Sequence, residues 1–451
     1  MKYLQLLTLA LLTACLSCRQ QAAETAETPL TAFADSLFNA AIDSGQIAGA
    51  AVVVKKDGQL LLKKSYGYAS LELGVPVPEE GTFEIGSVTK QFTAAAILKL
   101  ASAGKLSLED DFTQYVPMDT GGRKITIAQL LNHTSGIPSY TEIPEFWGLS
   151  IESHPRDSLL RLAETKPFLF EPGERLIYNN TGYFILGLVI EKASGKPYAD
   201  YLRETLFEPL GMKNTYYCSQ TEVVPGKVYG YNYSRDGLSQ KPYLDHTWPY
   251  AAGSLCSSTA DLLIWLEALH TGKILSEAEY RQITQPGTLN DGSPLRYAMG
   301  LTNLSNYGHR QIGHGGGIHG FLSETAYYPD DDLYVICLVN TTGPKGADYF
   351  AEALTWDLLE KVPYETRPFD QDATALSGAF EGQGRGSMLK IALEATPEGL
   401  IMRREGQQAP DTVKTYVGDA TWMNGNTLIS FRSGKWTIDQ GGGYYVLERI
   451  K

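Results

Sequence analysis

The chain has 451 residues, of which 43% are hydrophobic and 20% charged, with a formal net charge of -13. This is the composition of a folded globular protein rather than a disordered one, and the length exceeds one small core, so two or three domains are expected. The acidic excess disfavours nucleic acid or an anionic membrane surface as a general partner. Of the five cysteines, Cys15 and Cys18 lie in the first segment and Cys218, Cys256 and Cys337 are scattered. Among the latter three no C-x-x-C pair offers a zinc site, and an odd set of three argues against a complete disulfide framework, so these three are expected as buried free thiols.

Residues 1–14 carry Lys2 and a short apolar run, the pattern of a secretory signal too short to span a bilayer. Leu12-Thr13-Ala14-Cys15 resembles a lipobox, which would make Cys15 a lipidated first residue; a plain signal peptide is the alternative. Residues 15–30 are polar and simple, a tether. The expectation is an exported bacterial lipoprotein on the periplasmic or cell-surface side, touching membrane only through its lipid.

A domain over residues 31–361 follows. Ala32 to Ser44 has helical spacing. Asp57-Gly58 joins two apolar runs as a hairpin. Thr82 to Gly104 leads through Gly86 and Ser87 into a helix apolar nearly all round, hence buried. Helical patterns then dominate: Thr126 to Gln129 reads as a capping box, further helices end at Gly195 and Gly211, and another runs from a Ser258 or Thr259 cap to Gly272. Strands return over Tyr307 to Ile312, Phe321 to Tyr328 and Leu333 to Asn340, turned at Asp330-Asp331-Asp332, before a helix at Ala347 to Glu360. Strands at both ends and helices between them predict an α+β fold: a mainly antiparallel sheet flanked by helices, with an inserted helical subdomain. Residues 362–375 form a polar linker. From 376 to 451 short alternating runs predict a small all-β, barrel-like domain. It has no histidine or cysteine, no chemistry is legible in it, and a structural or substrate-shaping role is expected.

The chemistry starts at Ser87 and Lys90. Three residues apart on a helix, they share one face. A serine is a weak nucleophile until a neighbour accepts its proton, and a lysine accepts one only if burial keeps it neutral. A capping serine with a snorkelling lysine is the alternative. Tyr178-Asn179-Asn180 precedes a helix; Tyr178 would relay a proton and Asn180 would orient Lys90 or a substrate amide. His314-Gly315-Gly316-Gly317, in a glycine-rich connection before a strand, lets backbone N–H groups approach a ligand closely.

In their order and context these pieces resemble the serine β-lactamase and penicillin-binding-protein superfamily, nearest its class C and esterase- or D-peptidase-like branch. Ser87-Val88-Thr89-Lys90 matches its S-x-x-K, Tyr178-Asn179-Asn180 its Y-x-N, and His314-Gly315-Gly316 its lysine- or histidine-led triplet. The resemblance implies that Ser87 becomes acylated, Lys90 and Tyr178 share general-base work and return a proton to the leaving group, and Asn180 fixes Lys90. It also implies an oxyanion hole from the Ser87 and Gly317 N–H groups, with Gly316 beside it. His314 would touch the substrate and its carboxylate. Histidine in place of lysine removes a permanent cation, which weakens the case for a β-lactam and favours an ester, an amide or a D-amino-acid-containing peptide.

The reading is thus a serine hydrolase working through an acyl-enzyme on a small-molecule or peptide substrate, with no cofactor and no metal. A penicillin-recognising or ligand-binding relative with little turnover is the alternative. An α/β-hydrolase is disfavoured because no G-x-S-x-G accompanies the HGGG stretch. His309, His314 and His319 lack a carboxylate partner at metal spacing. His133 is expected to hold a helix end. Oligomeric state is not legible.

Overall fold

A computed structural model describes residues 28–450 except Gly406 and Gln408. The expected signal segment and the expected lipidation site at Cys15 fall outside the described residues. Seven strands form the main sheet, in the spatial order Thr302–Asn306, His309–Ile318, Phe321–Tyr328, Leu333–Val339, Gly49–Lys56, Gln59–Ser70 and Val75–Pro76. Every pairing in it is antiparallel. The helices between residues 89 and 284 are inserted between its first and last strands, so the α+β architecture expected from the sequence is the one observed.

The central strands read as unbroken apolar runs because both their faces are covered. Along Gly49–Lys56, Ala51 and Val53 face the inserted helices, whereas Ala50, Val52 and Val54 face the helices Pro29–Asp43 and Ala347–Leu358. On the first side, helix Thr89–Ser102 sits at the middle of the core, with Phe92 packed on Trp265 at 4.2 Å between ring centroids. Local signals set several boundaries. Thr126 and Gln129 form the expected capping box, Ser258 caps Thr259–His270, and Gly195 ends Asn180–Ser194 at φ +73°.

Two expectations need correction. The strand foreseen at Tyr307 to Ile312 is a hairpin of Thr302–Asn306 and His309–Ile318, turned at Tyr307-Gly308, where φ is +45° and +85°. Its second strand carries the whole glycine-rich stretch, so His314 to Gly317 lie in a strand, not in a connection. Cys218 and Cys256 are joined in a disulfide, and only Cys337 is free among the described residues. Strand Tyr216–Tyr217 pairs with Leu255–Ser257, which brings the two Cα atoms to 5.2 Å.

Nine strands between Gly378 and Arg449 form a nearly closed, barrel-like sheet around Phe380, Trp422 and Trp436. Its last strand, Gly443–Arg449, pairs with Leu176–Ile177 of the preceding domain, matching Gly443 with Ile177 and Tyr444 with Leu176. Arg296 donates to the Asn426 carbonyl and lies 3.5 Å from the Asp439 carboxylate. The barrel is therefore stitched to the segment that leads directly into Tyr178.

Candidate active site

Ser87 occupies the turn Gly86–Val88, which runs straight into helix Thr89–Ser102. One helical turn on, Lys90 is fully buried. Its Nζ lies 3.1 Å from Ser87 Oγ, 2.9 Å from Asn180 Oδ1 and 2.7 Å from the Ala252 carbonyl oxygen. Among the described residues no carboxylate forms an ion pair with it. Burial, seconded by the positive charge of Arg385, drives its pKa well below 10.5. A neutral amine has two N–H groups and one lone pair. The two oxygens that can only accept, on Asn180 and Ala252, take the N–H groups, leaving the lone pair for the Ser87 hydroxyl.

The Asn180 amide is fixed in turn. Its Nδ2 donates to Thr141 Oγ1 at 3.1 Å, which turns Oδ1 toward Lys90. Asn179 caps the helix by accepting from the Gly182 N–H, and Tyr178 precedes it. The Lys90 Nζ lies 4.7 Å from the Tyr178 ring centroid. The Tyr178 hydroxyl is buried without a hydrogen-bond partner among the described residues. Burial raises its pKa, and the nearby Ser87 offsets only part of the rise, so it rests as a phenol. Such a hydroxyl beside a serine is suited to donate to an atom supplied from outside.

The glycines of His309–Ile318 are needed for close approach. A Cβ on Gly316 would lie 2.2 Å from the Ile85 carbonyl oxygen, and one on Gly86 would lie 2.9 Å from the Gly317 nitrogen. Counting the antiparallel ladder back from the turn at His319-Gly320 makes Gly317 opposite Leu322 a non-hydrogen-bonded pair. Its N–H therefore points away from Phe321–Tyr328 and toward the Ser87 turn. Ser323 donates to the Ile85 carbonyl at 2.8 Å, holding that turn against the strand. A buried chain does the same for the helix: Trp265 donates to Gln91, Gln91 to Thr325, and Thr325 to the His314 carbonyl, at 3.0, 2.8 and 2.9 Å.

His314 departs from its expected role. It is buried, and both ring nitrogens are engaged by the protein: Nδ1–H donates to the Gly315 carbonyl and Nε2 accepts from the Tyr297 hydroxyl. Burial and the proximity of Lys90 push its pKa down to about 3. It is a neutral ring with no nitrogen free for a substrate. His133, expected only at a helix end, also steadies Tyr178. Its Nδ1 accepts the Asn179 N–H at 3.1 Å and its ring packs on Tyr178 at 4.4 Å. Neither this contact nor the Ala252 carbonyl has a sequence signature beyond the phrases NHTSG and AAGS. Among the described residues no group of three or more His, Cys, Asp or Glu side chains is placed to hold a metal ion.

A cleft of about 490 Å³ opens on Ser87, walled by Tyr140, Phe146, Trp147, Leu244, Ile318 and His319. His319 stacks on Trp147 at 5.7 Å. The wall is aromatic and apolar, shaped for an uncharged group attached to the reacting carbonyl.

Residues 34–360 match the sequence profile of the family described as Beta-lactamase. The chain belongs to that family. It is 27% identical over 357 residues to a D-aminopeptidase of Gluconobacter oxydans, covering 79% of this chain and 66% of that protein. It is 30% identical over 375 residues to Penicillin-binding protein 4* of Bacillus subtilis, covering 78% of this chain and 82% of that one. The chain thus spans just under two thirds of the first relative. Among solved structures, the octameric penicillin-binding protein homologue from Pyrococcus abyssi superposes with a TM-score of 0.65 at 26% identity, over 92% of this chain and 99% of that one. That likeness includes the C-terminal barrel. The chain has the β-lactamase fold.

Proposed function

We propose that the protein hydrolyses an ester, an amide or a D-amino-acid-containing peptide through an acyl-enzyme on Ser87. The observation that carries this reading is Lys90: a buried amine without a carboxylate partner, 3.1 Å from the Ser87 hydroxyl. Its lone pair takes the serine proton as Oγ attacks the carbonyl. The Ser87 and Gly317 N–H groups receive the developing oxyanion. Tyr178, protonated at rest, gives its proton to the leaving group and is recharged by Lys90, which holds the proton taken from Ser87. Water then attacks the acyl-enzyme, giving up a proton to Lys90, and Ser87 Oγ departs with a proton returned to it. The aromatic cleft favours an apolar acyl portion, and the likeness to a D-aminopeptidase supports D-configured substrates.

We place the protein outside the cytoplasm as a lipoprotein. The sequence of residues 1–15 supports this, and the Cys218–Cys256 disulfide fits an oxidising compartment.

The test is intact-mass analysis with a fluorophosphonate and a penicillin, followed by a panel of p-nitrophenyl esters, D-amino-acid amides and D-Ala-D-Ala peptides. A stoichiometric adduct that disappears in Ser87→Ala, with turnover on at least one panel member, is expected. A folded protein that binds panel compounds without adduct or turnover is a binding relative, and the proposal fails.

A further inference from the structure

The barrel sends one side chain back to the site. Its first hairpin, between strands Gly378–Gln383 and Met388–Thr396, carries Gly384-Arg385-Gly386-Ser387 at the tip. The Arg385 guanidinium carbon lies 5.1 Å from the Tyr178 ring centroid. Its Nε donates to Glu142 Oε1 at 2.6 Å. The approach is tight, since a Cβ on Gly386 (φ +73°) would lie 2.6 Å from Glu142 Oε2. Arg385 is 42% exposed and Glu142 27%. A second hollow, of about 540 Å³, opens here between Ser139, Glu142, Tyr178, Asn179 and Arg385. The segment from Ser139 to Glu142 lies between this hollow and the aromatic cleft: its outer residues Ser139 and Glu142 line the hollow, and its inner pair Tyr140 and Thr141 line the cleft on Ser87.

A guanidinium presents a planar fork of N–H donors that matches a carboxylate. Arg385 spends one donor on Glu142, and its two terminal nitrogens have no hydrogen-bond partner among the described residues. The other basic groups nearby are already committed. Lys90 is buried on Ser87, Asn180 and Ala252. Both nitrogens of His314 are used inside the protein. Lys166, on the rim of the same hollow, bonds Glu145. The cation missing from the strand that bears His314 is therefore supplied beside Tyr178 by another domain.

We propose that Arg385 recognises a carboxylate on the leaving group of the substrate, making the C-terminal barrel a specificity element for the reaction at Ser87. This rests on the hydrolase reading above, in which Tyr178 protonates the leaving group and so defines the side on which that group departs. Glu142 competes with the substrate for the same fork and holds it in place while the hollow is unfilled. The ligand class is an acyl amino acid, or a thioester or ester analogue of one, with a free carboxylate on the departing portion.

The test uses the full chain and two thioesters: N-benzoyl-D-alanyl-thioglycolate, whose leaving group carries a carboxylate, and the matching thioglycolamide, whose leaving group does not. The readout is the ratio of their kcat/KM values. In Arg385→Gln this ratio is expected to fall roughly 10- to 100-fold, mainly through KM for the carboxylate substrate; Arg385→Lys should recover part of it. Glu142→Gln, which keeps the guanidinium and removes its competitor, should raise the ratio. If Arg385 is only a structural tether, Arg385→Gln and Glu142→Gln will lower both kcat/KM values alike and leave the ratio unmoved, which overturns the inference. Wild-type protein that turns over neither thioester and gives no Ser87 adduct defeats the hydrolase reading instead, and this inference with it.

Discussion

Two lysines that point into this fold meet opposite fates, Lys90 fully buried and Lys241 partly exposed. Lys241 reaches the buried Glu84 carboxylate, which His246 also approaches at 3.6 Å. Burial alone would raise the Glu84 carboxyl, but His246 and Lys241 outweigh it and hold it down at about 2. There the low-dielectric interior is occupied by compensated charge. Lys90, more deeply buried, is given neutral oxygens and no carboxylate. The interior deprotonates it instead. Burial pushes the Lys241 amine down as well, but the Glu84 charge opposes the fall; partner and depth together decide whether an inward-pointing amine is a structural cation or a base. Sequence alone does not separate the two, because Glu84 and Lys241 are 157 residues apart.

The contrast breaks most sharply at Lys90. Lys90→Met is expected to slow acylation of Ser87 roughly 10³- to 10⁴-fold, read as fluorophosphonate labelling by intact mass. Its far-ultraviolet circular dichroism should remain that of the wild type. Gly316→Ala comes next. The new methyl meets the Ile85 carbonyl, pushes strand His309–Ile318 off the Ser87 turn and spoils the oxyanion hole. A kcat loss of about 10²-fold is expected, with KM less affected.

Lys241→Met should do the reverse. It is expected to lower unfolding stability by about 3 kcal/mol in denaturant melts, because it leaves a buried carboxylate without its cation. Ser87 labelling at 25 °C should persist. The pH dependence of stability carries the same sign logic. The folded Glu84 pKa lies below its ordinary value of 4.5, so its contribution is fully present above about pH 4.5 and is lost as pH falls toward 2. Lys90 works on activity in the complementary sense: a base must be unprotonated, so acylation declines as pH falls through its depressed pKa. If labelling and stability respond together in both lysine variants, the distinction between the two residues is wrong.

Much of this was legible before any fold was known. The Ser87–Lys90 pair follows from helical spacing, and the α+β order follows from where apolar alternation gives way to helical periodicity. Tyr178 and Asn180 are candidates from their place ahead of a helix but gain weight only through resemblance to a family, since a tyrosine ahead of a capped helix is an ordinary sight. The strand bearing His314 was misread because glycine is a poor strand former in isolation. Here its missing side chain is what lets the strand lie against Ile85 and Gly86. The disulfide was missed because an odd cysteine count argues about numbers, whereas pairing depends on which strands adjoin. Arg385, Glu142, Ser323 and the Gln91–Thr325 chain had no signal at all. Each acquires its meaning from a contact between segments far apart in the chain, one of them in a domain that carries no histidine or cysteine.

The central claim is that Lys90 is an uncharged amine while Ser87 reacts. Protein labelled with [ε-¹³C]lysine tests it directly by NMR titration, with the Lys90 signal assigned by its absence in Lys90→Met. The account predicts that this carbon titrates well below 10.5 and at the same pH as the acid limb of Ser87 labelling. A Lys90 signal that stays in the ammonium form across the whole pH range in which Ser87 is acylated would contradict it.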